Sequence, residues 1–417
     1  MALRASATPL IPRTVAPFVA RCGVGFPAIA LVGPRQSGKS SLARTVFPGH
    51  RVVVLESPDM AEAAERDPRG LLESALAGSA SGVILDEVQR VPALLSYLLE
   101  FIDRDPVPGR WVLTGSESLA LSERLSQSLA GRVATLELLP LMHGEVALFP
   151  SAAAAVASTA AGAVFTGGYP AIFARGVDPS VWMASYVSTY VERDVRRVLQ
   201  VGDLSAFQRF LALCAGRTGQ VLNTSALAAD AGVSQPTARS WLSVLEATSI
   251  VRLLPAWHGN VRKRLVKAPR LHFVDTGLAC YLLGLRSPQQ LQDHPLRGPL
   301  FESWVVGEAM KAQAATGERG RLFHWRDQRG TEADLIVDIG GRMAVIEIKS
   351  GRTYQDEWMR GVRSVMASVP ESIAATGHVV YGGDVGDPAA GRDGVSWREV
   401  GKFVIDVMRG DVRGPAR

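Results

Sequence analysis

Cysteine is scarce in this chain. Its 417 residues hold three, Cys22, Cys214 and Cys280, widely spaced and in no CxxC pair. An odd, scattered set gives neither a disulfide framework nor a cysteine zinc site, and a reducing cytosol is the simplest home for it. Long apolar runs are missing too. No stretch approaches the roughly 20 residues a spanning helix needs, and the opening "MALRASATPLIPRTVAPFVARCGVGFPAIALVG" lacks an apolar segment ending in a small-residue cleavage site. The expectation is a soluble, cytoplasmic protein with no membrane partner. His143, His258, His272, His294, His324 and His378 show no HxxxH-type ligand spacing, and the tyrosines and tryptophans form no ladder for stacking single strands. Charge excess is slight: 45 Lys and Arg face 40 Asp and Glu, leaving +5. That balance permits a polyanionic partner without requiring one.

The apolar share of 47% with 20% charged residues is an ordinary globular balance. A chain this long exceeds a single core and predicts two or three domains. The first informative stretch is "AIALVGPRQSGKSSLARTVF", a buried strand, a loop and a helix. The loop, Gly33, Pro34, Arg35, Gln36, Ser37, Gly38, Lys39 and Ser40, fits G-x-x-x-x-G-K-[ST]. Glycines let the backbone wrap closely, so its N–H groups and the helix amino end point at phosphate oxygens. Lys39 would reach the β- and γ-phosphates of ATP, Ser40 would bind Mg²⁺, and Ser41 would touch the α-phosphate. "GVILDEVQRVP" follows as a strand ending in two carboxylates. Asp86 would hold the magnesium through water and Glu87 would polarise the attacking water. "RWVLTGSES" brings Thr114 and Ser116 to the end of a further strand, either to sense the γ-phosphate or orient the water, or simply for Ser116 or Ser118 to cap a helix.

Strands alternating with helices describe an α/β domain with a parallel sheet, whose ligands bind at the strands' carboxyl ends. The segments "GPRQSGKSSLAR", "LDEVQ", "LTGSES" and "SLAGRV" resemble the AAA-type and signal-transducing P-loop ATPases. That resemblance covers residues 1–150 and implies an arginine at the γ-phosphate. Arg132 is the candidate, with a plain surface ion pair as its alternative.

The middle, residues 165–285, reads as a helical connector. The Ala-rich stretch 150–165 before it looks like a boundary or a flexible surface segment. Arg193, Arg196 and Arg197 either form a solvated helix face or line the nucleotide cleft. "NTSALAADAGVSQPTARSWLSVLEATSIVRLLPAW" has a helix–turn–helix pattern, with Leu227, Ala228 and Val233 inward, Gly232 at the turn and Trp241, Leu242 and Leu245 as a buried stripe. A hairpin around "HGNVRKRLVKAPR" would make it a winged helix. In one role Gln235, Thr237, Arg239 and Ser240 face a DNA major groove while Arg262, Lys263, Arg264, Lys267 and Arg270 track phosphates. In the other the winged helix is only a lid on the nucleotide domain.

Residues 286–417 close on "TEADLIVDIGGRMAVIEIKSG". Two short strands around a glycine turn bring Asp334 close to Glu347 and Lys349. With Glu302 on the preceding helix, these carboxylates would cage Mg²⁺ through hard oxygens. Glu332 would add a ligand, Gln355 an accessory polar group, and Lys349 would neutralise the transition-state charge. Preceded by a helix and set between buried strands, the pattern resembles the PD-(D/E)xK nuclease superfamily core, a restriction-endonuclease-like α/β fold. The whole layout resembles a prokaryotic family that pairs an AAA-type ATPase with a carboxyl-terminal domain of unknown function related to these nucleases. Its implied function is an ATP-binding and ATP-hydrolysing protein acting on DNA, with a Mg²⁺-dependent nuclease-like module. The alternative is a nucleotide-dependent switch that binds DNA or protein without cleavage. Self-association is compatible with either.

Overall fold

Apolar runs alternating with helical segments before residue 140 become one parallel sheet. The computed structural model describes residues 10–116, 129–191, 203–258, 268–327, 330–384, 391 and 393–411. Strands β1 (Ala28–Val32), β2 (Arg51–Val54), β3 (Val83–Asp86), β4 (Trp111–Thr114) and β5 (Val133–Glu137) stand in the order β2-β3-β4-β1-β5. Every neighbouring pair is parallel. β1, β3 and β4 are buried at every residue, as a sheet covered on both faces demands. One cover is the helix Leu94–Arg104, whose Leu94, Leu95, Leu98, Phe101 and Ile102 fall on a single buried stripe. Cutting Leu98 back to alanine would cost about 2–5 kcal/mol. The sequence suggests four of these strands. In β5 only Ala134 and Leu136 are buried, an edge-strand alternation that a search for continuous apolar runs passes over.

Contacts divide the chain into two compact units, one of Pro12–Pro140 with Ala247–Ser249, the other chiefly Leu141–Glu246 and Ile250–Arg417. In the second, the middle and carboxyl-terminal segments share one apolar core reaching from Leu141 to Val407. The stretch expected to be a boundary is part of it. Ser151 and Thr159 cap the helices Ala152–Val156 and Ala160–Thr166, and Ala163, Val164 and Phe165 enter the core. Alanine there favours helix rather than disorder, because it loses no side-chain entropy.

The helices Leu204–Gly216, Thr224–Ala231 and Gln235–Ala247 are followed by antiparallel β6 (Val251–Leu254) and β7 (Arg270–Phe273). Gly232 takes φ 73° at the turn between the second and third helices, where a side chain would be strained. Leu227, Ala228, Trp241, Leu242 and Leu245 are buried. Arg193, Arg196, Arg197, Arg262, Lys263, Arg264 and Lys267 lie outside the described residues.

A second sheet has the order β12-β11-β10-β9-β8, from β8 (Leu322–Arg326), β9 (Glu332–Asp338), β10 (Arg342–Lys349), β11 (Ala374–Tyr381) and β12 (Gly394–Ser396). β8, β9 and β10 are antiparallel, whereas β11 runs parallel to β10 after the crossover helix Met359–Ser368. The β9–β10 turn has positive φ at both Gly340 and Gly341, the backbone of a tight hairpin that matches strand twist. The helix Arg297–Thr316 precedes the sheet. Among the described residues no helix is long and apolar enough to cross a membrane.

Candidate functional site

Within the first unit the polar groups gather where β1, β3 and β4 end. Gly33 has φ 137°, and a Cβ there would lie 2.4 Å from the Leu138 carbonyl oxygen, so only glycine fits. Gly38 is left-handed and starts the helix Lys39–Val46. Lys39 is buried, and its Nζ donates to the carbonyls of Gly33 at 3.1 Å and Pro34 at 2.8 Å. The ammonium is thus held across the loop it belongs to. Ser40 Oγ donates to Asp86 Oδ1 at 2.6 Å. β4 lies between β1 and β3, so Thr114 at its end reaches Asp86 Oδ1 through its hydroxyl and accepts the Glu87 N–H at 3.2 Å. Glu87 is left-handed at φ 60°, and its carboxylate accepts the Gln89 amide, which also donates to Ser116 Oγ at 2.9 Å.

These residues fit Mg-ATP. The Ser37 hydroxyl is buried with no hydrogen-bond partner, an orphan that a phosphate oxygen would satisfy. Ser40 and Asp86 are already an adjacent hydroxyl and carboxylate, the hard oxygens a small divalent ion takes. A bound magnesium would offset phosphate charge there. Gln36, at φ 64°, and Arg35 complete the loop, and Ser41 is exposed on the first helical turn. Thr114 contacts Asp86 through its hydroxyl and accepts the Glu87 N–H, at the strand end where the sequence suggests a group that senses the γ-phosphate or orients the water.

Arg132 stands apart from the loop. The Ala28 N–H donates to its carbonyl, which puts it beside the amino end of β1, at the edge of the sheet away from the loop. Its guanidinium pairs with Asp103 at 2.5 Å and 3.1 Å, so it is a surface ion pair. A sequence search misses Arg13, which donates to the carbonyls of Ser37 and Leu139, each at 2.9 Å, and so fixes the loop from outside. Arg13 lies 20 residues before Gly33 in a stretch with no phosphate pattern, and nothing in it signals the contact.

The second unit holds the carboxylates. Register Ile346↔Leu335 sets Asp334 beside Glu347, and Asp334 Oδ2 accepts the Ile348 N–H at 2.9 Å. Lys349 Nζ meets Glu347 Oε1 at 2.5 Å. Burial and then the nearby Asp334 push the Glu302 carboxyl up to about 8, and the same two causes push Glu347 up to about 7. Burial alone would lower Lys349, but Glu347, Asp334 and Glu302 outweigh it and raise it. The four groups therefore do share one environment.

They are organised around a different cation from the one expected. Arg270, 5% exposed, places Nη1 3.0 Å from Asp334 Oδ1 and Nη2 2.5 Å from Glu332 Oε2, with Glu302 Oε2 at 4.0 Å. Among the described residues no three His, Cys, Asp or Glu side chains converge to hold a metal ion. In this structure Glu302 and Asp334 face Arg270, and Glu347 faces Lys349. A divalent ion about 4 Å from that guanidinium would be repelled by roughly 8 kcal/mol at an effective dielectric of 20. Gln355 precedes a short helical turn, Asp356–Trp358, which its side chain does not cap.

Loop, carboxylate strand and parallel sheet define a P-loop ATPase domain, and the model of the AAA domain family matches residues 25–147. Two models described as domains of unknown function, DUF8612 and DUF4143, match residues 160–289 and 297–398. The chain belongs to one family with the uncharacterized proteins Rv2008c of Mycobacterium tuberculosis and Mb2031c of Mycobacterium bovis. It is 32% identical to each over 362 residues, 86% of this chain and 77% of theirs. Among solved structures, it resembles the Walker-type ATPase PABY2304 of Pyrococcus abyssi at 15% identity, with TM-score 0.42 over 66% of this chain and 99% of that one. It also resembles a RuvB variant of Thermotoga maritima at 20% identity, with TM-score 0.31 over 59% and 90%. Both scores lie below a shared overall fold, so the nucleotide reading rests on the site's residues and the family match.

Proposed function

We propose that this protein binds and hydrolyses ATP and uses the cycle as a switch on a nucleic-acid or protein partner, without a metal-dependent cut. The observation that carries the first part is the Ser40–Asp86 contact of 2.6 Å beside a loop whose Lys39 ammonium spans Gly33 and Pro34. Lys39 neutralises phosphate charge, Ser40 and Asp86 would hold Mg²⁺, and the loop amides bind oxygens. Glu87, held by the Gln89 amide and through its N–H by Thr114, accepts the proton of an attacking water. The winged-helix reading of residues 204–273 and the net charge of +5 support a polyanionic partner.

Cleavage is the second reading. It is favoured by the crowding that raises Glu302 and Glu347 beside Lys349. Both readings are separated by incubating plasmid with the protein and Mg²⁺, with and without ATP, beside Lys349→Ala. Turnover of ATP with no nicking supports the switch. Nicking that Lys349→Ala abolishes establishes the nuclease instead. Loss of binding with rising salt would mark phosphate contacts, whereas a flat response would point to a protein partner.

A further inference from the structure

The cation that matches the carboxylates of the second unit is Arg270, on the first position of β7. Each acid near it is already committed. Asp334 gives one oxygen to Arg270 Nη1 at 3.0 Å and the other to the Ile348 N–H at 2.9 Å. Glu332 gives one oxygen to Arg270 Nη2 and the other to Arg326 at 3.2 Å. Glu347 holds Lys349, and Glu302 stands 4.0 Å from Nη1. The guanidinium side chain is only 6% exposed, and its Nε is buried with no partner. Arginine is suited to this because it stays charged when buried and its planar fork matches carboxylates.

The hairpin that delivers it is itself joined to the sheet. Ala256 bridges His324 of β8, Trp257 N–H donates to the His324 carbonyl at 2.6 Å, and Trp257 Nε1 donates to Asp338 at 2.9 Å. Trp257 also stacks on Trp325 with ring centroids 5.0 Å apart. Position and charge of Arg270 are therefore set by the β6–β7 segment, which precedes the acids in the chain.

We propose that Arg270 is the resident cation of this cluster, an internal plug that excludes divalent metal. The plug commits these acids to basic side chains and to a backbone N–H instead of to a metal ion. The inference is independent of the nucleotide site and would stand if the loop bound no ATP.

The test is calorimetric titration of the full chain with Mn²⁺ in four forms: wild type, D334N, R270Q and R270Q/D334N. Wild type and D334N should give the same isotherm, since no Mn²⁺ site in wild type depends on Asp334. R270Q should gain one site, tighter by more than about tenfold, which R270Q/D334N loses. A Mn²⁺ site in wild type that D334N removes overturns the proposal, and so does a folded R270Q with no added site. Should R270Q fail to fold, R270K keeps the charge on a shorter stem. Its isotherm should match wild type, and the wild-type and D334N comparison decides alone.

Discussion

Replacing Lys39 with alanine removes an ammonium that is buried, charged and aimed along the loop. In the unliganded site it donates to the Gly33 and Pro34 carbonyls. Its departure leaves two neutral acceptors, which water can reach through the emptied space, so the unliganded protein loses only about 1–3 kcal/mol of stability. In the ATP complex the same ammonium faces phosphate, and a hydrogen bond to a charged group contributes about 1.5–3 kcal/mol. Since about 1.4 kcal/mol is tenfold, Mg-ATP affinity should fall by roughly 10- to 150-fold. Turnover should fall further, because negative charge develops on the β–γ bridging and β-phosphate oxygens as the bond breaks, where the ammonium would neutralise it. The assay is calorimetric titration with Mg-ATP beside a thermal melt. A variant that melts within a few degrees of wild type yet binds Mg-ATP within about threefold of it would refute the reasoning.

Gly33→Ala should abolish ATP binding, because the added Cβ would meet the Leu138 carbonyl oxygen at 2.4 Å; the same titration, with a melt to show a folded chain, reads it. Arg132→Ala should leave turnover within about twofold of wild type and stability within ~1 kcal/mol, since it removes only an exposed pair with Asp103. Arg270→Met should destabilise by about 3–5 kcal/mol by stranding buried Asp334, and R270M/D334N should recover part of that, read by urea unfolding. Buried His272 is depressed to about 3, first by burial and then by Arg270 and His324, so the folded state binds its proton less well than the unfolded state. Its contribution is complete above pH ~6.5 and is lost as pH falls below that value, by ~1.4 kcal/mol one unit lower, and His272→Asn should flatten that slope.

What was legible in the sequence follows from the range of the physics. The nucleotide loop could be read because its chemistry is local: Gly33, Gly38, Lys39 and Ser40 lie within eight consecutive residues, and one strand and one helix suffice to shape them. The Gly340–Gly341 turn is local in the same way, and through it the approach of Asp334 to Glu347. Thr114 is intermediate. Its place at a strand end is visible, but its duty toward Asp86 depends on β4 lying between β1 and β3, which no run of residues states. Arg132 is open between its two readings for a related reason. A basic residue near a phosphate-binding domain carries no mark of which edge of the sheet it will occupy, and here a parallel register with β1 decides.

Arg270 is the sharpest case, because its residue type is legible in the sequence and its partners are not. In sequence it ends a basic stretch, "RKRLVKAPR", and charge alone assigns the whole stretch to phosphates. Burial divides that stretch. A guanidinium 5% exposed faces a large desolvation cost, so it persists only against matching acids. The acids are Glu332 and Asp334, 62 and 64 residues further on, and no local pattern spans that interval. Two of the carboxylates that read as a metal cage, Glu302 and Asp334, stand with Glu332 around one arginine, while the third, Glu347, pairs with Lys349. Which cation they hold is set by the docking of a hairpin on β8, and the titration of D334N against wild type is the measurement that distinguishes the two.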